Sequence, residues 1–81
     1  MDKQLDLYYY DACPYCQKVL RAMRKLGIAD RITLKNILTS QQNANTLVQV
    51  GGKRQVPCLF IDGVPMYESD DIVAYLTRTF G

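Results

Sequence analysis

The sequence predicts an α/β domain in which three helices cover a mixed four-stranded sheet, in the order β-α-β-α-β-β-α. Three observations predict it. Apolar residues recur at helical spacing in three segments, each bounded by a capping or breaking residue. Short runs rich in strand formers separate those segments. Asp62-Gly63 stands between two such runs, the signature of a two-residue hairpin turn.

Leu5 to Tyr10, "LDLYYY", is rich in strand formers and stops at Asp11, so it is the first strand. Pro14 to about Leu26 is the first helix. Cys16, Val19, Leu20, Met23 and Leu26 fall on one face, and Lys18, Arg21, Arg24 and Lys25 on the other. Gly27 ends it. Arg31 to Ile37 alternates Ile32 and Leu34 with polar neighbours, which predicts a second strand. The first helix is then a crossover, and the two strands it joins are parallel. Ser40 to Val50 caps and runs as a weaker helix with Ala44, Leu47 and Val48 inward, closed by Gly51-Gly52. Pro57 to Ile61 and Val64 to Tyr67 form the antiparallel hairpin. Ser69 caps the last helix, which carries Ile72, Val73, Tyr75 and Leu76. Asp70 and Asp71 occupy its first turn, where the helix dipole favours negative charge.

The 81 residues are expected to form a single domain, 1–81. The chain is 48% hydrophobic and 22% charged, which is a globular balance. A net charge of +2, with no basic block and no aromatic RNA motif, supports neither a nucleic-acid nor a membrane partner. The apolar runs fall far short of a spanning helix, and Met1-Asp2-Lys3-Gln4 lacks the form of a signal peptide. A soluble, cytoplasmic protein is expected.

The chemistry centres on Asp11-Ala12-Cys13-Pro14-Tyr15-Cys16. There are three cysteines and no histidine. An odd count argues against a secreted disulfide framework. The lack of histidine removes Ser-His and Cys-His catalysis. Zinc wants four ligands, and Cys13, Cys16 and Cys58 supply at most three, so no metal site is expected. A structural disulfide between Cys13 and Cys16 would close only a tiny loop, with little entropic gain. A reactive pair uses their position. Cys13 lies at a strand-to-helix junction, with Pro14 suited to the first helical position. Unpaired helix N–H groups and the positive end of the dipole face its sulfur, and both favour thiolate over thiol. Cys16 lies three residues on and further inside. Cys13 is therefore expected to be an exposed nucleophile and Cys16 the thiol that resolves a mixed disulfide, the two together forming a redox-active disulfide.

The chain resembles the glutaredoxins over nearly its whole length. The resemblance rests on "CPYC" at Cys13–Cys16, "VP" at Val56-Pro57 and "SDD" at Ser69–Asp71, in that order. It implies a thioredoxin-like fold and a glutathione-dependent thiol-disulfide oxidoreductase serving electron transport and redox homeostasis. Glutathione would be co-substrate, with no tightly bound cofactor. The partners would be glutathionylated or disulfide-containing proteins, and the chain would be monomeric. The resemblance further implies that Val56-Pro57 is a cis peptide leaving the Val56 backbone free to pair with glutathione. Ser69 and Asp70 would hold the γ-glutamyl end, and Tyr15 would sit beside the bound sulfur. One of Lys53, Arg54 and Gln55 could reach the glycine carboxylate; a solvated charge run explains them equally. Cys58 is either a small apolar strand residue or an additional redox contact.

The sequence departs from the glutaredoxin pattern in two places. Tyr10 stands where many members have lysine, three residues before the first cysteine. Tyr67-Glu68-Ser69 replaces Gly-Gly-Cys, and "YESDDIVAYL" is closer to the N-terminal domain of the glutathione transferases, which shares the fold. A transferase normally adds a helical C-terminal domain, and this chain ends at Gly81, so disulfide exchange rather than conjugation is expected, unless the chain is a module of something larger. The alternatives are a glutathione-ligated [2Fe–2S] cluster-binding protein and a non-catalytic thioredoxin-fold module.

Overall fold

The computed structural model describes residues 3–81. The elements are β1 (Leu5–Tyr9), α1 (Pro14–Leu26), β2 (Thr33–Asn36), α2 (Gln41–Gly51), β3 (Cys58–Ile61), β4 (Val64–Met66) and α3 (Ser69–Phe80), with a short 3₁₀ turn at Ala29–Arg31. The sheet order is β2-β1-β3-β4. β1 pairs parallel with β2 and antiparallel with β3, and β4 returns antiparallel on β3. The thioredoxin-like architecture expected from the sequence is present.

Strand alternation divides the interior in two. Leu5 and Leu7 of β1 and Leu59 of β3 face one side, where Val19 and Met23 of α1 and Ile72 and Leu76 of α3 close over them. Tyr8, Cys58 and Phe60 face the other, against Ala44 and Leu47 of α2. Tyr8 and Phe60 stack tilted, with ring centroids 4.4 Å apart. Helices thus cover both faces, two on one side and one on the other.

The ends of α1 are set by local chemistry. Gly27 adopts the left-handed conformation (φ 70°). Its N–H donates to the Arg24 carbonyl at 3.1 Å, and that of Ile28 to the Met23 carbonyl at 3.0 Å, the double closure of a Schellman motif. Ile28 packs in the same cluster as Met23. A Cβ at Gly27 would meet nothing within 4 Å, so only backbone strain opposes one. Gly27→Ala is therefore expected to destabilise the chain by about 1 kcal/mol, read as a lower urea midpoint with an unchanged slope.

Three sequence expectations need correction. The second strand is shorter than Arg31–Ile37, because the 3₁₀ turn takes Ala29–Arg31 and leaves Ile32 as a buried plug beneath it. Within this strand Leu34 is exposed, on an edge strand whose other flank is open. Val48 of α2 is not inward: it is 43% exposed, since the helix rests on the sheet through Ala44 and Leu47 alone. Ser69 does not cap α3. Glu68 takes the extended N-cap conformation and Ser69 is the first helical residue. Ser40 does cap α2, accepting from the Asn43 N–H at 3.3 Å. The hairpin turn forms as expected, with φ 49° at Asp62 and 83° at Gly63.

Candidate functional site

Cys13 is the N-cap of α1, in extended conformation, with Pro14 opening the helix. Its sulfur accepts from the backbone N–H of Cys16 at 3.3 Å. The free donors of a helix start therefore aim at this sulfur. Such a donor stabilises a negative sulfur more than a neutral one. All three cysteines are free thiols.

The expected order of exposure holds, but its degree does not. Cys13 is only 5% exposed and Cys16 is fully enclosed. The cause is the turn before the helix: the Cys13 N–H bonds back to the Tyr10 carbonyl at 3.3 Å, drawing the cysteine in under the strand end. Cys13 is a recessed thiol, not an open one.

Cys16 is pushed from the ordinary 9.0 up to about 12, first by burial and then by a hydrogen bond to Cys13 and that residue's charge. It stays protonated through the neutral range. Because the unfolded thiol ionises first, this shift contributes stability below pH 9 that is lost as the pH rises towards 12. At pH 7.5 a small alkylating agent is expected to label Cys13 in the folded protein, and Cys16 and Cys58 only in urea. Peptide mass spectrometry reads this, and labelling of Cys16 at the Cys13 rate would contradict it.

A cleft of about 660 Å³ takes in Tyr15, which lies between the two cysteines in sequence, but neither Cys13 nor Cys16 lines it. All five residues singled out for ligand contact line it: Tyr15, Val56, Pro57, Ser69 and Asp70. The Val56-Pro57 bond is cis, as is Tyr67-Glu68 at the entry to α3. Pro57 is buried. Tyr15 reaches out from the first turn of α1 and is 66% exposed. Ser69 is 7% exposed, tucked at the base of α3. Asp70 is exposed and paired with the Lys18 ammonium of α1.

Three further residues line the cleft. Gln55 was among the sequence candidates, whereas Glu68 and Asp71 were not assigned to the site. Their signal was present: both flank Ser69-Asp70, and a helix start that no side chain caps leaves its neighbours open to a ligand. Gln55 Nε2 donates to Glu68 Oε2 at 3.4 Å, bridging the two walls. Lys53 and Arg54 do not line the cleft.

Cys58 follows the cis proline but turns away from the site. It is fully buried among Tyr8, Phe60 and Leu47, and burial raises its pKa. Tyr67 closes over it, its own hydroxyl pushed up to about 12 by burial and by its hydrogen bond to Cys58. Among the described residues, no group of three or more His, Cys, Asp or Glu is placed to hold a metal ion. No helix there is long and apolar enough to cross a membrane.

Comparison with known proteins gives the same picture of the fold. Residues 7–81 match the family described as glutathione S-transferase, N-terminal domain. The chain is 28% identical over 75 residues to glutathione S-transferase D7 of Anopheles gambiae, covering 93% of this chain and 34% of that one. It is 31% identical over 67 residues to glutaredoxin 1 of Rickettsia prowazekii, covering 82% and 70%. A glutathione transferase family member from Pseudomonas fluorescens Pf-5, solved with bound glutathione, superposes with a TM-score of 0.82 at 28% identity, covering 96% of this chain and 39% of that one. The chain thus spans little more than a third of the length of the transferases it matches.

Proposed function

The chain belongs to the family of glutathione S-transferase N-terminal domains, and from that premise we propose that it is a glutathione-dependent thiol-disulfide oxidoreductase acting through Cys13. The observation that carries this reading is the Cys16 N–H held on the Cys13 sulfur at the start of α1, the helix whose first turn also lends Tyr15 to the cleft. A transferase has no need of a second thiol one helical turn inward. A disulfide reductase does.

In the proposed reaction the Cys13 thiolate attacks the glutathione sulfur of a protein mixed disulfide. The sulfur–sulfur bond breaks, and the protein leaves as a thiolate that takes a proton from water. Glutathione remains bonded to Cys13. The thiolate of a second glutathione attacks that glutathione sulfur, releasing oxidised glutathione and regenerating Cys13. With a protein disulfide as substrate, the Cys13 thiolate first forms a mixed disulfide with it; Cys16 then attacks the Cys13 sulfur, the substrate leaves as a dithiol, and the resulting Cys13–Cys16 disulfide is reduced by two glutathiones. Two of the causes that raise Cys16 are the hydrogen bond and charge of Cys13. Both vanish once Cys13 is in a disulfide, so Cys16 becomes easier to ionise when it is needed. No histidine base takes part, because the chain contains no histidine.

The cleft supports glutathione as ligand. The first-turn N–H groups of α3 suit the γ-glutamyl carboxylate. The Asp70 and Glu68 carboxylates suit its ammonium. Val56, ahead of Pro57, offers backbone groups for the cysteinyl portion in the manner of an added strand.

The test is reduction of a small glutathione mixed disulfide by the chain, with glutathione and a coupled reductase. Turnover well above the uncatalysed exchange supports the reading. Its absence sinks it in favour of a cluster-binding or adaptor role. A second reading, glutathione conjugation, is favoured by the transferases among the relatives. Assaying the same preparation with an aryl halide separates the two.

A further inference from the structure

We propose that the outer face of α1 is a docking surface for an acidic segment of a partner protein, a short run of carboxylates laid along Arg21, Arg24 and Lys25.

One helix builds this face. The α1 sequence, PYCQKVLRAMRKL, holds four cations and no carboxylate. Lys18, Arg21, Arg24 and Lys25 are all exposed. They recur three and four residues apart, so they are neighbours on the helix surface. The opposite side is taken up by the buried Cys16, Val19 and Met23. Lys18 is paired with Asp70 of α3. Arg21, Arg24 and Lys25 form no ion pair among the described residues.

The surroundings do not neutralise the face. Helix α3 runs alongside α1 in the same direction. Lys18 meets Asp70 near the two starts, and Arg31, just past the end of α1, lies over the Phe80 ring at the end of α3, 5.2 Å from its centroid. Asp70 and Asp71 are therefore at the start of the layer, while the last turn of α3 adds another exposed cation, Arg78. Asp11 and Asp30 lie outside the two ends of α1, and neither forms an ion pair among the described residues.

This arrangement works against the helix that carries it. Lys18 and Arg21, Arg21 and Arg24, and Arg21 and Lys25 are like charges at contact spacing, and each pair repels. The helix dipole favours Arg24 and Lys25 in the last turn, but its influence does not reach Arg21. Solubility needs only mixed charge, which α3 has in Asp70, Asp71 and Arg78. Carboxylates from a partner relieve the repulsion and supply the missing ion pairs.

The dimensions suit a peptide segment. Lys18 and Lys25 are about 10 Å apart along the axis, the span of about three or four extended residues. A nucleic-acid backbone would run past the cations towards Asp70 and Asp71 at one end and Asp30 at the other. Nor does any aromatic ring stand between Lys18 and Lys25 for a base to stack on. Membrane insertion needs an apolar face, and that of α1 is spent on the core. A protein held along α1 lies on the helix that presents Cys13 at its start, so docking raises its encounter rate with that thiol.

Amide chemical-shift mapping of the isotope-labelled full chain, in low-salt buffer at pH 7.0, tests the surface. The probes are a cysteine-free peptide with a tetraglutamate run, its glutamine counterpart and a short DNA duplex. The acidic peptide is expected to shift the amides of residues 18–25 and to bind at least about tenfold more tightly than either other probe. Raising sodium chloride to about 0.5 M should weaken it at least about fivefold. The double variant Arg21→Gln/Lys25→Gln should lose at least about fivefold in affinity; Lys18 stays in place because its partner lines the cleft. Lys3→Gln/Lys35→Gln removes the same charge away from α1 and should bind within about twofold of the parent. Four results would each overturn the proposal: no binding of the acidic peptide, largest shifts outside α1, equal loss in the two double variants, or tighter binding of the duplex. None of these readouts uses turnover, so the surface stands or falls independently of the reaction assigned to Cys13.

Discussion

Cys13→Ser is expected to lower turnover of a glutathione mixed disulfide by at least about 10³-fold, the scale on which removing a nucleophile acts, while Cys16→Ser keeps most of it. The asymmetry follows from the geometry. Only Cys13 receives a helix N–H on its sulfur, at 3.3 Å. Cys16 is fully buried and is held protonated by that burial and by Cys13. A serine hydroxyl at position 13 would accept the same N–H, so the fold survives, yet it is no nucleophile towards sulfur. Circular dichroism of the variant should match the parent, which separates lost chemistry from lost structure. Cys16→Ser should instead abolish reduction of protein disulfide substrates, where the second thiol must close the intramolecular disulfide to release the substrate, and should trap the Cys13 mixed disulfide with glutathione, visible by intact mass. Equal loss in both variants on the small mixed disulfide would show that both thiols are needed, and would refute the one-cysteine route.

The parts of this chain legible in its sequence are those set by local chemistry. Helix α1 could be bounded to the residue because Pro14 and Gly27 each act on their own backbone. The hairpin turn at Asp62-Gly63 follows from the same kind of constraint. The cleft was legible residue by residue, because motifs far apart in the chain each carried their own signal, and the sheet brings their ends together at one edge of α1 and α3. What failed was what depends on packing. Leu34 and Val48 fit an apolar stripe yet lie exposed, since no second layer covers them. The recess of Cys13 depends on the Tyr10 carbonyl, a backbone contact that no pattern of side chains announces. The N-cap of α3 moved by one residue because Glu68 takes the extended conformation that Ser69 was expected to hold. That shift matters for the site: with no side chain capping α3, its first-turn donors remain open to a ligand.

Leu59→Ala is expected to produce the largest loss of stability of any conservative truncation in the chain. Leu59 lies in β3, paired with Leu7 of β1 on one side and Met66 of β4 on the other. It is fully buried, in the cluster where α1 and α3 close over the sheet. Truncation leaves a cavity under both helices, and the central strand cannot move to fill it. Leucine-to-alanine changes at such sites cost about 2–5 kcal/mol. Small domains are stable by roughly 0.05–0.15 kcal/mol per residue, so this one change removes a large share of the total. Urea unfolding reads the loss directly, and a cost under about 1 kcal/mol would show that the α1–α3 layer relaxes around the gap. Leu34→Ala, on the exposed edge strand, serves as the control and should be close to neutral. The core change also reaches the site, because α1 presents Cys13 and α3 supplies Ser69 and Asp70. Residues of both helices share the Leu59 cluster, so weaker packing there should let the buried Cys16 thiol be alkylated faster at pH 7.5 in Leu59→Ala than in the parent, even where both are folded. Packing beneath the sheet thus keeps the two thiols chemically distinct.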